Sequence, residues 1–120
     1  MSVVPFATIA ISRRRYGPQT IDPATRRPAP QSPTTSTIYA SIQPPTDRDM
    51  QTLTDGERTR RVLVVYTTTD TLRTAEQVGA LPADEVVIAG ETYQVRRVER
   101  WRQVRPHDRA VCVRLQEIGP

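Results

Sequence analysis

The stretch Asp84-Glu-Val-Val-Ile-Ala-Gly-Glu-Thr-Tyr-Gln-Val-Arg-Arg-Val-Glu-Arg-Trp101 holds two β-branched runs separated by Gly90 and ends in the only tryptophan of the chain. Residues 86–88 and 92–98 suit a pleated, half-buried surface, and Gly90 supplies the positive φ that a tight reversal needs. The stretch predicts a β-hairpin. In its second arm Tyr93 and Val95 share a face, yet strict alternation would then put Arg97 and Glu99 beside them and send Val98 to the other side. A β-bulge at Arg96 and Arg97 returns Val98 to the core and adds the twist that a barrel requires at its corners. An exposed distal strand end is the competing reading.

Working outward, Arg61-Val-Leu-Val-Val-Tyr-Thr67 is an unbroken apolar run, which suits a central strand covered on both faces. In Ser36-Thr-Ile-Tyr-Ala-Ser-Ile-Gln43, Ile38, Ala40 and Ile42 alternate with Thr37, Tyr39 and Ser41, the pattern of a half-buried strand. Pro44-Pro45 ends it, and Thr46 caps a short helical turn over 47–53 with Met50 and Leu53 on one face. Asp55-Gly56 reads as a turn. Residues 71–82, with Leu72, Ala75, Val78 and Leu81 among turn formers, read as one helical turn or an irregular crossover. A last strand over 109–117 is entered through a turn at Pro106, His107 and Asp108, with Val111, Val113 and Leu115 on its one buried side. Near the N-terminus, Phe6-Ala-Thr-Ile-Ala-Ile-Ser12 reads as a first or edge strand, with Ala7, Ile9 and Ile11 on one face and Phe6, Thr8 and Ala10 on the other.

Between these strands, residues 17–35 are a succession of proline steps with Thr, Gln and Arg. They offer neither the donors for a sheet nor apolar surface to offset their entropy, so an extended arm or long loop is expected. The fold class predicted is all-β: a small barrel of about six short strands, a proline-rich N-terminal arm and at most one short helix. Residues 1–16 form the first strand, 17–35 the arm, 36–118 the barrel and 119–120 a tail. Tyr39, Val64, Tyr66, Tyr93, Val95 and Val113 are assigned to the barrel core or its rim.

Composition narrows the function. A chain of 120 residues and 13.5 kDa fits one compact domain. Its 37% hydrophobic content and 11 prolines sit below and above the usual shares of roughly 45–50% and about 5%, so part of the chain lies outside a core. All 17 positive residues are arginine, and against 13 acids they leave a net charge of +4. Arginine forks suit phosphate and carboxylate, which makes nucleic acid and acidic protein surfaces candidate partners; arginine-rich coding is the plain alternative. The apolar N-terminal residues precede Arg13-Arg14-Arg15, the reverse of a secretory signal, and no apolar run spans a membrane, so a soluble intracellular product is expected.

Catalytic, cofactor-binding and metal-ligating residues are expected to be none. His107 is the single histidine and reads as a surface turn residue. A nucleophile elbow and a phosphate-cradling glycine loop are both missing from the sequence. Asp47 with Asp49 could imitate a cation pair and Asp84 with Glu85 a carboxylate dyad, but a helix N-terminus and a hairpin start explain them as solvated structural acids. Cys112, the lone cysteine, suits a small core or interface position. Two basic, aromatic-bearing clusters remain: Arg13, Arg14, Arg15 and Tyr16, and then Arg96, Arg97, Arg100 and Trp101 with Arg102 and Arg105. They suit phosphate contact with base stacking, or a protein interface, and the interface is preferred.

Ala40-Ser-Ile-Gln-Pro44, Gly56-Glu-Arg58, Val62-Leu-Val-Val-Tyr-Thr67 and the 84–95 hairpin pattern ending towards Trp101 follow one another in this order. Over about residues 36–118 the chain thereby resembles the head-closure family of tailed bacteriophages, also called stopper or head-tail joining proteins. The resemblance implies a small β-barrel acting without catalysis in the virion neck, made in the host cytoplasm. It implies a homo-oligomeric ring, twelve-fold favoured over six-fold, with a portal or adaptor protein above and a tail protein below. Non-specific contact with packaged DNA would follow, and no membrane. The other readings are a small basic β-barrel that binds nucleic acid, and a related tail-completion or collar protein.

Overall fold

The computed structural model describes residues 8–17, 20–21, 24, 28–29, 33–75, 82–103 and 105–115. Phe6, Ala7, Val78, Leu81, residues 116–120 and most of the 17–35 segment lie outside them. The strands are β1 (Ile9–Arg15), β2 (Thr20–Ile21), β3 (Pro28–Ala29), β4 (Thr34–Gln43), β5 (Val62–Thr67), β6 (Glu85–Ile88), β7 (Glu91–Trp101) and β8 (His107–Arg114), with helices α1 (Asp47–Gln51) and α2 (Asp55–Arg58) between β4 and β5. Six strands close into an antiparallel barrel in the order β1-β4-β5-β8-β7-β6, and β2 pairs with β3 separately.

The β6–β7 hairpin turns on Ala89 and Gly90 at φ 51° and 78°, two successive left-handed residues as in a type I′ turn, whose twist matches that of the flanking strands. Glycine takes that conformation without the Cβ clash that Ala89 accepts. Further along β7, the register with β8 slips between Val95 and Arg97. This bulge restores the inward phase: Tyr93 and Val95 are buried, and Val98 packs against the same core.

That core comes from one side of each of the six barrel strands. Ile11, Ile38, Ala40, Val65, Val86, Ile88, Tyr93, Val95, Ala110 and Cys112 fill the interior, and Leu72, from the segment after β5, plugs one end. A second cluster lies outside the barrel, where Met50 and Leu53 cover Val62, Val111 and Val113. The α1 region thus hides the outer face of β5 and β8, so β5 is covered on both faces as its unbroken apolar run predicts.

Several expectations change. β8 begins at His107, so that residue and Asp108 are strand rather than turn, and Val111, Cys112 and Val113 are all buried, so both sides of β8 are covered. A second short helix, α2, replaces the turn at Asp55-Gly56; Thr54 and Glu57 form its capping box, a Thr-x-x-Glu pattern that was present in the sequence. β1 runs on through Arg15, pairing with β4 from Ile9↔Ala40 to Arg15↔Thr34 and with β6 from Ser12↔Val87 to Arg14↔Glu85. It is a full stave of the barrel. Within the expected arm, Thr20 and Ile21 ladder with Ala29 and Pro28; a ladder this short is compatible with proline, which lacks a donor but keeps its carbonyl.

Candidate interface

Closure of the barrel leaves two stretches of strand without a strand partner among the described residues. β6 pairs with β7 only at residues 91–94, so residues 96–101 have β8 on one side and an open edge on the other. β5 pairs with β4 only at residues 41–43, which leaves residues 34–40 open on the side away from β1. Exposed backbone donors and acceptors along such edges are templates for pairing with another chain. Each edge also carries an exposed aromatic ring, Tyr39 at 65% and Trp101 at 54% exposure. Tyr39 therefore does not join the core or rim: alternation turns Ile38 and Ala40 inward and leaves its ring in solvent.

Trp101 lies opposite His107 in the β7–β8 ladder, and their rings are parallel to within 5° with centroids 6.0 Å apart. The His107 ring lies 5.9 Å from that of Tyr66, over which the Arg109 guanidinium sits at 5.8 Å. These side chains form one continuous stripe down the outer face of β5, β7 and β8.

The two basic clusters fare differently. Arg96 pairs with Glu57 at 2.8 Å, Arg97 with Glu99 at 3.3 Å, and Arg100 approaches Asp108 at 3.9 Å. All three arginines keep roughly two-fifths to half of their side chains in solvent. Arg14 sits in the ladder between Thr35 and Glu85. The Tyr16 hydroxyl donates to Glu85 at 3.2 Å; burial first, and then the Glu85 charge, raises its pKa. Arg13 and Arg15 share the side of β1 that carries Ile11, so they enter the end of the barrel and not an outer surface. There they meet Arg73 and Asp84, residues that sequence reading left out of the basic cluster. The available signal was the i, i+2 spacing of Ile9, Ile11, Arg13 and Arg15, once the strand is extended beyond Ser12.

The suggested acidic pairs resolve into structural charges. Asp49 closes the capping box of α1 and is gripped by Arg109. Asp84 is fully buried, not solvated, and bonded to Arg15, while Glu85 bonds to Tyr16. Among the described residues, no three His, Cys, Asp or Glu side chains converge as a metal site. Cys112 is completely buried, which pushes its thiol up to about 12. An open cleft of about 240 Å³ lies between Arg14, Glu85, Glu91 and Arg114, lined mainly by charges that already have partners of opposite sign nearby. No described helix is long and apolar enough to cross a membrane. Comparison with protein-family models and with curated protein sequences returned no match.

Proposed function

We propose that this chain is a structural component of the bacteriophage neck: a non-enzymatic ring subunit that closes the DNA-filled head and joins it to the tail. The observation that carries this reading is the pair of dissimilar open edges, on β4 and β7, each with an exposed aromatic. A ring needs heterologous contacts, two different faces on each subunit, whereas a two-fold dimer uses one face twice. Strand addition between an edge of one copy and the other edge of the next meets that need, with Tyr39 and Trp101 as apolar anchors and the paired arginines as a polar rim. The portal or adaptor above and the tail protein below would then contact the two ends of the barrel.

The test is a null allele in the phage genome that encodes the chain, read together with the neighbouring genes. Portal, capsid and tail genes should flank it, and the null should yield filled heads that leak DNA and lack tails. Tailed, infectious particles from the null allele would overturn the reading. A purified protein that binds oligonucleotides with an affinity falling steeply from low to moderate salt would instead support the small basic nucleic-acid binder.

A further inference from the structure

Where β1 ends and β6 begins, three guanidinium groups converge on one carboxylate. Arg15 donates to Asp84 through Nε at 2.9 Å and Nη2 at 2.7 Å, and the Nε of Arg73 stands 3.6 Å from the same group. Arg13 Nη1 and Arg15 Nη2 both donate to the Thr71 carbonyl, at 2.7 and 3.1 Å. The Arg73 backbone N–H donates to Asp84 at 3.0 Å, and its guanidinium to the Tyr16 carbonyl. Asp84 is fully buried, while the Arg15 and Arg73 side chains keep 30% and 19% of their surface.

The charges do not balance. Among the described residues, three guanidinium groups against one carboxylate leave a surplus of two positive charges. Two further carboxylates are already engaged: Glu85 accepts from the Tyr16 hydroxyl at 3.2 Å, and Asp108 is held by Arg102 at 2.9 Å and by the Asp70 N–H at 2.8 Å. Burial, and then repulsion from Arg15, lowers the Arg13 pKa, with Asp84 opposing and Arg73 adding to the repulsion. Furthermore, among the described residues the Nε atoms of Arg13 and Arg73 are shielded from solvent without a hydrogen-bond partner, Asp84 standing 3.6 Å from the latter. Buried guanidinium donors ordinarily have acceptors, and clustered positive charges ordinarily have counter-charges.

The geometry points to a binding site for a phosphate-type oxyanion among Arg13, Arg15 and Arg73. The anion accepts from the two Nε–H groups that lack a hydrogen bond and supplies negative charge to a cluster in which the Arg15 guanidinium alone is hydrogen-bonded to Asp84 and that of Arg73 stands at ion-pair distance from it. Arginine forks match tetrahedral oxyanions in shape as well as in charge, and the partial exposure of Arg15 and Arg73 leaves a path of entry. Free inorganic phosphate and a phosphodiester of a nucleic-acid backbone share this chemistry. The site stands whether or not the chain assembles into a ring.

Thermal unfolding of the full chain, in phosphate against chloride at matched ionic strength, tests it. The midpoint should climb by several degrees as inorganic phosphate passes about ten times its dissociation constant. Arg13→Gln and Arg73→Gln should unfold cooperatively and each lose that climb. A wild-type midpoint that follows ionic strength alone, or a variant that keeps the full phosphate response, overturns the site. Should neither variant fold, the ³¹P resonance of inorganic phosphate decides: broadening by the wild-type chain that excess sulfate reverses supports the site, and an unaffected resonance overturns it. A short oligothymidylate that competes with phosphate identifies backbone phosphate as the source, and one that does not compete identifies the free anion.

Discussion

Arg109 on β8 grips both carboxylate oxygens of Asp49, at 2.6 Å through Nη1 and 2.5 Å through Nη2, and so ties the first turn of α1 to the outside of the barrel. Asp49 also accepts from the Thr46 backbone N–H at 2.8 Å, so one carboxylate serves both the helix cap and the helix-to-sheet contact. Both partners are nearly buried, at 12% and 5% side-chain exposure, so solvent screens the pair little. Asp49→Ala should destabilise the fold by about 3 kcal/mol, because among the described residues it leaves Arg109 with Glu99 alone as its acidic neighbour and removes the side-chain half of the α1 capping box, the Thr46 hydroxyl still capping the helix. Urea denaturation checks this, and a loss below about 1 kcal/mol would show the bridge to be incidental.

The same pair sets a pH window. Hydrogen bonding from Arg109, foremost, holds Asp49 at about 2 against its ordinary 3.8, although burial opposes the shift. The folded-state pKa is depressed, so the contribution is complete above the unfolded value and disappears as pH falls from about 4 to about 2. It amounts to about 2 kcal/mol. Urea midpoints compared at about pH 5 and about pH 2 should fall further for the wild type than for Asp49→Ala; parallel falls would assign the acid sensitivity elsewhere.

Val64 is fully buried and faces Val111 across the β5–β8 ladder. Val64→Asp should abolish cooperative folding, since an unpaired buried carboxylate costs several kcal/mol against a total stability of roughly 5–15. Soluble variant protein with a sharp thermal transition would contradict this placement.

Cys112 should resist thiol reagents at neutral pH in the native protein and react at once in denaturant, because burial both blocks access and holds its thiol at about 12. The labelling rate therefore reports opening of the barrel. Rapid labelling without denaturant would mean that β8 is not sealed on both faces.

Replacing Arg96, Arg97 and Arg100 together with serine should lower the melting temperature by no more than a few degrees, since the partly exposed pairs of Arg96 and Arg97 contribute about 0–1 kcal/mol each and buried Asp108, 3.9 Å from Arg100, keeps its closer partner Arg102. Trp101→Ser combined with Tyr39→Ser should likewise spare the monomer but weaken self-association, which native mass spectrometry at increasing protein concentration would record. Unchanged assembly after the aromatic double change would remove the two open edges from the ring interface.

Much of the fold was legible along the chain because period-two alternation and turn chemistry are local. The Val-rich run at β5, the Gly90 reversal, the Thr46 cap and the bulge after Val95 each follow from a handful of neighbouring residues. α2 is equally legible in the Thr54–Glu57 capping box, although Asp55-Gly56 taken by itself reads more simply as a turn. Alternation, however, says only which residues share a side, not what lies against that side. Closure through β1 and β6, the covering of β8 by the α1 region, and the open edges on β4 and β7 depend on strands meeting across long stretches of chain. The barrel-end cluster is the clearest case, since Arg15 and Asp84 bond across 69 residues. The alternation of β1 determined that Arg13 and Arg15 share the side of Ile11; only the closed barrel made that side an interior, and so converted two surface-like arginines into partly buried charges around one aspartate.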